Sequence, residues 1–216
     1  MKRIVFSFIL IFSLLVICQT TVIAQNWLIV PGRSVGPIRP DTSEKDLIKI
    51  FGRKNVKRAE IDVGEGETQS GTILFPNQPR KKVFILWKNP ATRQNPESVS
   101  IRNKNTLWKT ERGITIGTSL KTIEKINGRA FALTGFGWDY SGTVLHSNGG
   151  RIKEFGVETE SGLSGRTLIL RLEPAGSLRQ TREYEAVLGD KQFFSNNRAM
   201  KILNPGVYEI IVEFSR

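Results

Sequence analysis

The residue types best suited to binding chemistry are gathered in one short run, Phe136-Gly137-Trp138-Asp139-Tyr140. Two large aromatic side chains with polar tips stand next to a carboxylate, a combination that can stack on a sugar ring or anchor a protein partner. Gly135, Gly137 and Gly142 belong to the same stretch, and glycines permit unusual backbone angles or the close approach of another chain. The run therefore indicates a candidate binding site.

The same residues also fit a structural role. Alternate side chains of a strand share a face, so Phe136, Trp138 and Tyr140 would point to one side, with at least two of them in the core. Asp139 would then cap a turn or pair with Arg129. We take these five residues as the candidate binding set.

Enzyme chemistry is the alternative. Asp139 with Glu158 or Glu160 could form an acid/base pair for glycoside cleavage, which needs two carboxylates at a defined separation. A serine nucleophile would need His146, the one histidine of the chain, and Gly162-Leu163-Ser164-Gly165 misses the G-x-S-x-G spacing by one residue. The sequence thus assigns no catalytic residue and favours a non-enzymatic role.

A glycine-rich turn carries three acidic residues, Asp62, Glu65 and Glu67. Their oxygens could chelate calcium, but the spacing is not that of an EF-hand loop and favours a solvated hairpin tip. A zinc site would have to be built mainly from carboxylates, because the chain has one cysteine and one histidine. We therefore expect no metal and no cofactor.

The chain is strongly basic, with 32 lysine and arginine residues against 20 acidic ones and a net charge of +12. The tightest basic run is Arg80-Lys81-Lys82, and Arg151 and Lys153 take corresponding places in a second segment. Such side chains could bind anionic lipid headgroups or acidic polysaccharide. Charge spread over all faces for solubility is the other interpretation.

The first 24 residues have the composition of a secretory signal peptide, with a basic start, an apolar run from Ile4 to Ile17 and small residues before Gln25. The run is shorter than the roughly 20 residues of a spanning helix. Ile17 stands where a lipobox needs a small residue, which argues against lipidation of Cys18. We expect export to the periplasm or the cell exterior, which argues against a nucleic-acid partner.

Two segments repeat each other and predict the elements that position these residues. In each, a serine N-cap precedes a short amphipathic helix that stops at a glycine. The repeated residues are Thr42, Ser43, Gly52 and Arg53, which return as Thr118, Ser119, Gly128 and Arg129. Asp46 completes a capping box in the first helix. The predicted apolar faces are Leu47, Ile50 and Phe51, and then Leu120, Ile123 and Ile126.

Strands are predicted after each helix. Ser70–Phe75 returns as Ser141–His146, and alternation predicts strands at Lys82–Trp87 and Leu168–Leu172. The register continues by matching Arg80, Lys82, Phe84 and Leu86 with Arg151, Lys153, Phe155 and Val157. A helical turn is predicted at Tyr184–Leu188, closed by Gly189.

The last predicted strand, Val207–Phe214, is expected inside the sheet because of its length and apolar density. The predicted fold class is α+β, made of two tandem repeats of a short helix plus an antiparallel meander, in two-layer helix-on-sheet packing. The repeats would span residues 25–105 and 106–216.

The pattern Gly-Ile-x-x-Gly-Thr-Ser, followed by a short helix that ends in Asn-Gly, runs from Gly113 to Gly128. It resembles the start of the repeat in the BamE/SmpA outer-membrane assembly lipoproteins and in the beta-lactamase inhibitory protein family. The first unit departs from it, with Pro40-Asp41 where Ile116-Gly117 stand in the second. The run GFGWDYSGTV also resembles a family of uncharacterised secreted bacterial proteins.

What the resemblance implies is an envelope scaffold that presents a concave sheet and loops to a protein partner. Taken with the residues themselves, it leads us to expect an exported, non-enzymatic binding module with an envelope or secreted protein as its partner. The alternatives are a carbohydrate-active or envelope-polymer-modifying enzyme, and a basic module that binds anionic lipid or polysaccharide.

Overall fold

A computed structural model describes residues 26–156 and 167–214 of the chain. The predicted signal peptide with Cys18, and also Val157, Glu158, Glu160 and the Ser164 segment, lie outside the described residues. No helix in the described ranges has both the length and the apolar content needed to cross a bilayer.

Four α-helices and twelve strands make up the described part of the chain. The helices are α1 (Glu44–Phe51), α2 (Leu120–Asn127), α3 (Arg182–Glu185) and α4 (Arg198–Leu203). The first six strands are β1 (Leu28–Val30), β2 (Ser34–Val35), β3 (Val56–Gly64), β4 (Glu67–Leu74), β5 (Val83–Asn89) and β6 (Gln94–Ile101). The others are β7 (Lys109–Thr110), β8 (Ala132–Thr134), β9 (Val144–His146), β10 (Leu168–Glu173), β11 (Gln192–Phe194) and β12 (Gly206–Glu213).

The strands form three sheets, and the class is mixed α+β, as the sequence predicts. The largest is a six-stranded antiparallel sheet in the order β10-β12-β6-β5-β4-β3. Two three-stranded sheets have the orders β2-β1-β7 and β11-β8-β9. Strand β12 lies between β6 and β10, which confirms that the last predicted strand pairs inside a sheet.

Both predicted helices begin and end where the sequence indicates. Ser43 caps α1 in a capping box with Asp46, and Gly52 follows the last turn. Ser119 caps α2, and Gly128 ends it in the left-handed conformation, with φ 81°. One predicted core residue is wrong, because Ile50 at the edge of the α1 apolar stripe is 40% exposed. Ile48 packs on the core in its place.

The predicted match between residues 80–86 and 151–157 is not found as a second strand. Residues 151–156 form turns, with one isolated bridge between Phe155 and Leu168. Strand β9 pairs with β8, and Thr143, just before β9, forms an isolated bridge with Arg171 of β10. Near the predicted helical turn at Tyr184, helix α3 begins two residues earlier, at Arg182.

The two faces of the six-stranded sheet differ in burial. Cross-strand neighbours share a face, and the row Thr72, Ile85, Val99, Val212 and Leu168 is buried throughout. Helix α1 lies on this side, since Glu44 accepts a hydrogen bond from Thr72 Oγ1 at 3.0 Å. On the opposite face, Ile73, Phe84 and Ile211 are only partly buried.

The β3–β4 hairpin leaves the plane of this sheet. Only Thr72–Leu74 of β4 pair with β5, so the rest of the hairpin extends beyond the sheet. At Gly71 an added Cβ would lie 2.3 Å from Ile61 Cδ1 and 2.6 Å from the carbonyl oxygen of Ile85, so only glycine fits this close approach. Near the tip, the carbonyl oxygen of Asp62 accepts a hydrogen bond at 3.0 Å from Arg102 Nη2, and Arg102 follows β6, which lies three positions from β3 in the sheet order. The hairpin therefore curls over the partly buried face.

Candidate functional site

The curled hairpin encloses a cleft of about 480 Å³ against the sheet. We call it the charged cleft, because five carboxylates and two guanidinium groups are among its lining side chains. Its lining residues are Asp62, Val63, Gly64, Glu65, Gly66, Glu67, Thr68, Arg102, Asp139, Arg171, Tyr208 and Glu209.

An ion triad centred on the buried Glu209 forms the floor of the charged cleft. Glu209 of β12 is 2% exposed and pairs with Arg102 Nε at 2.6 Å and with Arg171 Nη1 at 2.8 Å. Arg102 Nη2 also donates to the carbonyl oxygen of Asp62 at 3.0 Å, and Arg171 lies over the ring of Tyr140 at 4.9 Å. Each buried charge thus has a partner of opposite sign, which buried charges require.

Tyr208 stands next to this triad on β12. Burial raises the pKa of its phenol; Arg171 lowers it in part, and the nearby Glu209 and Glu173 raise it further. The phenol therefore stays protonated at neutral pH and donates towards the carbonyl oxygen of Ser141 at 3.5 Å.

Residues 136–142, which we call the aromatic loop, border the charged cleft, and Asp139 is the member of the loop that lines it. The backbone amide of Glu65 donates to Asp139 Oδ2 at 2.8 Å, and a Cβ added at Gly64 would lie 3.0 Å from Tyr140 Cε1. The hairpin tip and the aromatic loop, which the sequence marks as separate features, therefore meet in one site.

The predicted common face for the three aromatic residues is wrong, because residues 137–142 form turns rather than a strand. Phe136 is buried and stacks on Tyr184, with ring centroids 5.9 Å apart. Tyr140 is half-buried, and Trp138 is 37% exposed. Trp138 packs edge-on against Tyr140, with ring centroids 5.7 Å apart, and its Nε1 donates to the carbonyl oxygen of Gly135 at 3.2 Å.

Glycine shapes this loop, as the sequence indicates. Gly137 and Gly142 have φ of 86° and 65°. A Cβ on Gly142 would lie 1.9 Å from the carbonyl oxygen of Leu172, so the loop and β10 approach too closely for any other residue.

Two of the other predicted residues lie elsewhere. Arg129 is not in the cleft lining and lies next to Gly149, so the predicted Asp139–Arg129 pair is absent from the described contacts. His146 is half-buried at the end of β9, where it packs on Phe194, 6.4 Å between ring centroids. Within the described ranges no three histidine, cysteine or acidic side chains are placed to hold a metal ion, so Asp62, Glu65 and Glu67 do not converge as the calcium alternative requires.

The predicted polyanion residues hold separate contacts. Arg80 donates to the carbonyl oxygen of Asn105 at 3.2 Å, and the ammonium of Lys81 lies over the rings of Trp27 and Phe75 at 5.5 and 5.6 Å. Lys82 is partly buried, whereas Arg151, beside Gly128, and Lys153 are exposed. No described contact joins the first group to the second.

Sequence reasoning missed Tyr208 and the three members of the ion triad, Arg102, Arg171 and Glu209. The available signal was Glu209 itself, a charged residue within the apolar strand Val207–Phe214, since a buried carboxylate requires cationic partners. Comparison of the chain with protein-family models, with curated proteins and with solved structures found no match.

Proposed function

We propose that this chain is an exported binding module of the bacterial envelope, and that a partner protein docks over the charged cleft with Trp138 as its anchor. The observation that carries the proposal is the state of Trp138, which is exposed yet held by a hydrogen bond and by Tyr140. An aromatic side chain already fixed in place loses little conformational entropy on binding, and tryptophan is enriched among residues that dominate interface energies.

The rim around Trp138 supports the same function. The aromatic loop is joined to the hairpin tip through Asp139, and to β10 through the carbonyl oxygen of Gly142, which accepts a hydrogen bond from the backbone amide of Leu172 at 3.0 Å. The two turns and the ion triad below them are therefore fixed relative to each other before any partner arrives. Such preorganisation reduces the free-energy cost of association.

The proposal includes the tandem repeat, whose two units together would form the docking face. The bridge from the N-cap Ser43 to Gln94, first residue of β6, has a counterpart from the N-cap Ser119 to Gly206, first residue of β12. Strand β6 pairs with β12, so the two units would meet at this strand pair inside the large sheet. In this equivalence β12 is the counterpart of β6.

Export is the second part of the proposal and rests on the composition of residues 1–24. It places the module in the periplasm or outside the cell. Detection of a protein that begins near Gln25, by N-terminal sequencing of envelope and medium fractions, would support cleavage. Recovery of a chain that retains Met1 would contradict it.

The docking proposal is tested by crosslinked capture from the native cell envelope, with wild type and Trp138→Ala compared at equal expression. Ile202→Ala is the matched control, because Ile202 is an exposed apolar residue, 52% accessible, on α4 outside the charged cleft. We expect one protein to be captured by wild type and by the control but to be lost, by at least about tenfold, with Trp138→Ala. Equal capture by all three proteins would overturn the proposal.

A further inference from the structure

Four carboxylates line the rim of the charged cleft, and none of them has an ion pair with a basic side chain in the part of the chain that the structure describes. Asp62, Glu65, Glu67 and Asp139 are all exposed. In the described residues, the side-chain contacts of Asp62 and Asp139 are to the backbone amides of Gly64 and Glu65, and no ion pair reaches any of the four. Basic residues outnumber acidic ones by 32 to 20 in this chain, so this local excess of negative charge runs against the composition.

The two cations of the cleft do not neutralise this rim. Arg102 Nε and Arg171 Nη1 both pair with the carboxylate of Glu209, at 2.6 and 2.8 Å. A second donor of Arg102, Nη2, is bound to the carbonyl oxygen of Asp62. The rim charge is therefore available to a ligand, and a cleft with protein walls focuses such a field.

The aromatic side chains that flank the lining residue Asp139 suit a cation as well. Tyr140 already holds the guanidinium of Arg171 over its ring at 4.9 Å, and Trp138 leans edge-on against Tyr140 with part of its surface in solvent. Tryptophan is the best of the aromatic rings for binding a cation. The carboxylates are spread along the cleft rather than gathered for one metal ion, and the volume of about 480 Å³ exceeds what a single ion needs.

From this cavity, its unpaired carboxylates and the aromatic side chains beside it together, we propose that the charged cleft receives an extended basic segment of the partner protein, with lysine or arginine side chains placed between Trp138 and the hairpin tip. The inference rests on the proposed function and names the chemistry of the partner. The rest of the protein surface is basic and would repel a basic segment, so it would not compete with the acidic rim of the cleft for that segment.

The test uses two capped peptides of equal length, acetyl-(Lys-Gly)3-amide and acetyl-(Glu-Gly)3-amide, titrated into the isotopically labelled protein. The resonances followed are the Trp138 indole N–H and the Glu65 backbone amide. We expect the lysine peptide to shift both resonances saturably and the glutamate peptide to shift neither.

The double variant Glu65→Gln with Glu67→Gln removes two rim charges and leaves every described hydrogen bond of the site in place. We expect it to weaken lysine-peptide binding by about fivefold or more. The matched control is Glu185→Gln with Asp190→Asn, two exposed acidic residues outside the cleft, and we expect its affinity to stay within about twofold of wild type.

Absence of saturable shifts with the lysine peptide, equal binding of the glutamate peptide, or wild-type affinity in the rim variant would each overturn the inference. The envelope capture separates this failure from failure of the proposed function. Loss of the captured protein with Trp138→Ala but full capture by the rim variant would leave the docking function intact and reject the basic segment. Capture that is insensitive to both changes would reject the docking function itself.

Discussion

The backbone amide of Glu65 donates a hydrogen bond to the carboxylate of Asp139 at 2.8 Å, and this bond joins the tip of the first hairpin to a loop of the second half of the chain. The hairpin extends beyond its pairing with β5, and Arg102 holds the carbonyl oxygen of Asp62 at the sheet, which brings the tip to Asp139. The site is thus assembled by folding of the hairpin and not by nearness in sequence.

Removal of the Asp139 acceptor should loosen the hairpin tip. We expect Asp139→Ala to destabilise the closed tip by about 1 kcal/mol, a typical net contribution of one hydrogen bond, and to speed amide exchange at Glu65 about fivefold. Hydrogen exchange followed by NMR measures this. Asp139→Asn keeps an acceptor oxygen and should change the rate much less, so equal effects of the two variants would contradict the role of the bond.

Loss of the Glu209 charge should destabilise the whole fold. Glu209→Gln leaves Arg102 and Arg171 without their counter-ion, and we expect a loss of about 3 kcal/mol, the low end for a broken buried pair, because 34% of the Arg102 side chain is exposed. Urea denaturation measures the change. The control Glu173→Gln removes the carboxylate that pairs with the exposed Arg179, and we expect it to lower the free energy of unfolding by less than about 1 kcal/mol.

Stability should fall in acid, and Glu44 should contribute to that fall. Burial raises the pKa of Glu44, but hydrogen bonds from Arg58 and Thr72 and the charges of Arg58 and Arg93 outweigh it, so the net pKa is lowered from 4.5. A folded-state pKa below the unfolded one gives stability that is complete above the unfolded pKa and is lost as the pH falls through the folded pKa.

Denaturation curves measured from neutral pH down to about pH 2 give the free energy of unfolding at each pH. We expect Glu44→Gln to flatten the acid part of the profile, relative to wild type. The hydrogen bonds of Asp46 with Ser43 lower its pKa in the same direction, so part of the slope should remain. An unchanged slope in Glu44→Gln would contradict the assignment.

Two glycines with similar backbone angles should respond differently to alanine. Gly142 has φ 65°, and a Cβ there would lie 1.9 Å from the carbonyl oxygen of Leu172, whereas Gly113 has φ 80° and open space around it. Gly113→Ala should cost only the backbone strain of about 1 kcal/mol. Gly142→Ala adds a clash with β10, and we expect a loss of more than about 3 kcal/mol by calorimetry.

Local signals predicted the local structure well. The serine caps and glycine stops of α1 and α2 and the apolar density of β12 lie within short stretches, where propensity and periodicity act directly. The capping interactions of Ser43 and Ser119 involve residues only three positions away, so no tertiary information was needed.

The site itself depends on tertiary structure. The alternation argument failed for Phe136, Trp138 and Tyr140 because the close approach at Gly142 turns the loop, and nothing in the residues from 136 to 140 reports the position of Leu172. The meeting of Asp139 with Glu65 similarly requires the curl of the first hairpin. The sequence therefore indicated the members of the aromatic loop but not which of them faces solvent.

The position of β12 between β6 and β10 has a consequence for the order of folding. Until residues 206–213 pair with both β6 and β10, each of these two strands has an edge without a strand partner. Either edge could then pair with a strand of another molecule. Closure of the sheet is thus a late event with high contact order. If the chain is exported across a membrane, it can cross before β12 completes the sheet. A chaperone that holds the unfolded chain would then need to cover the free edges of β6 and β10.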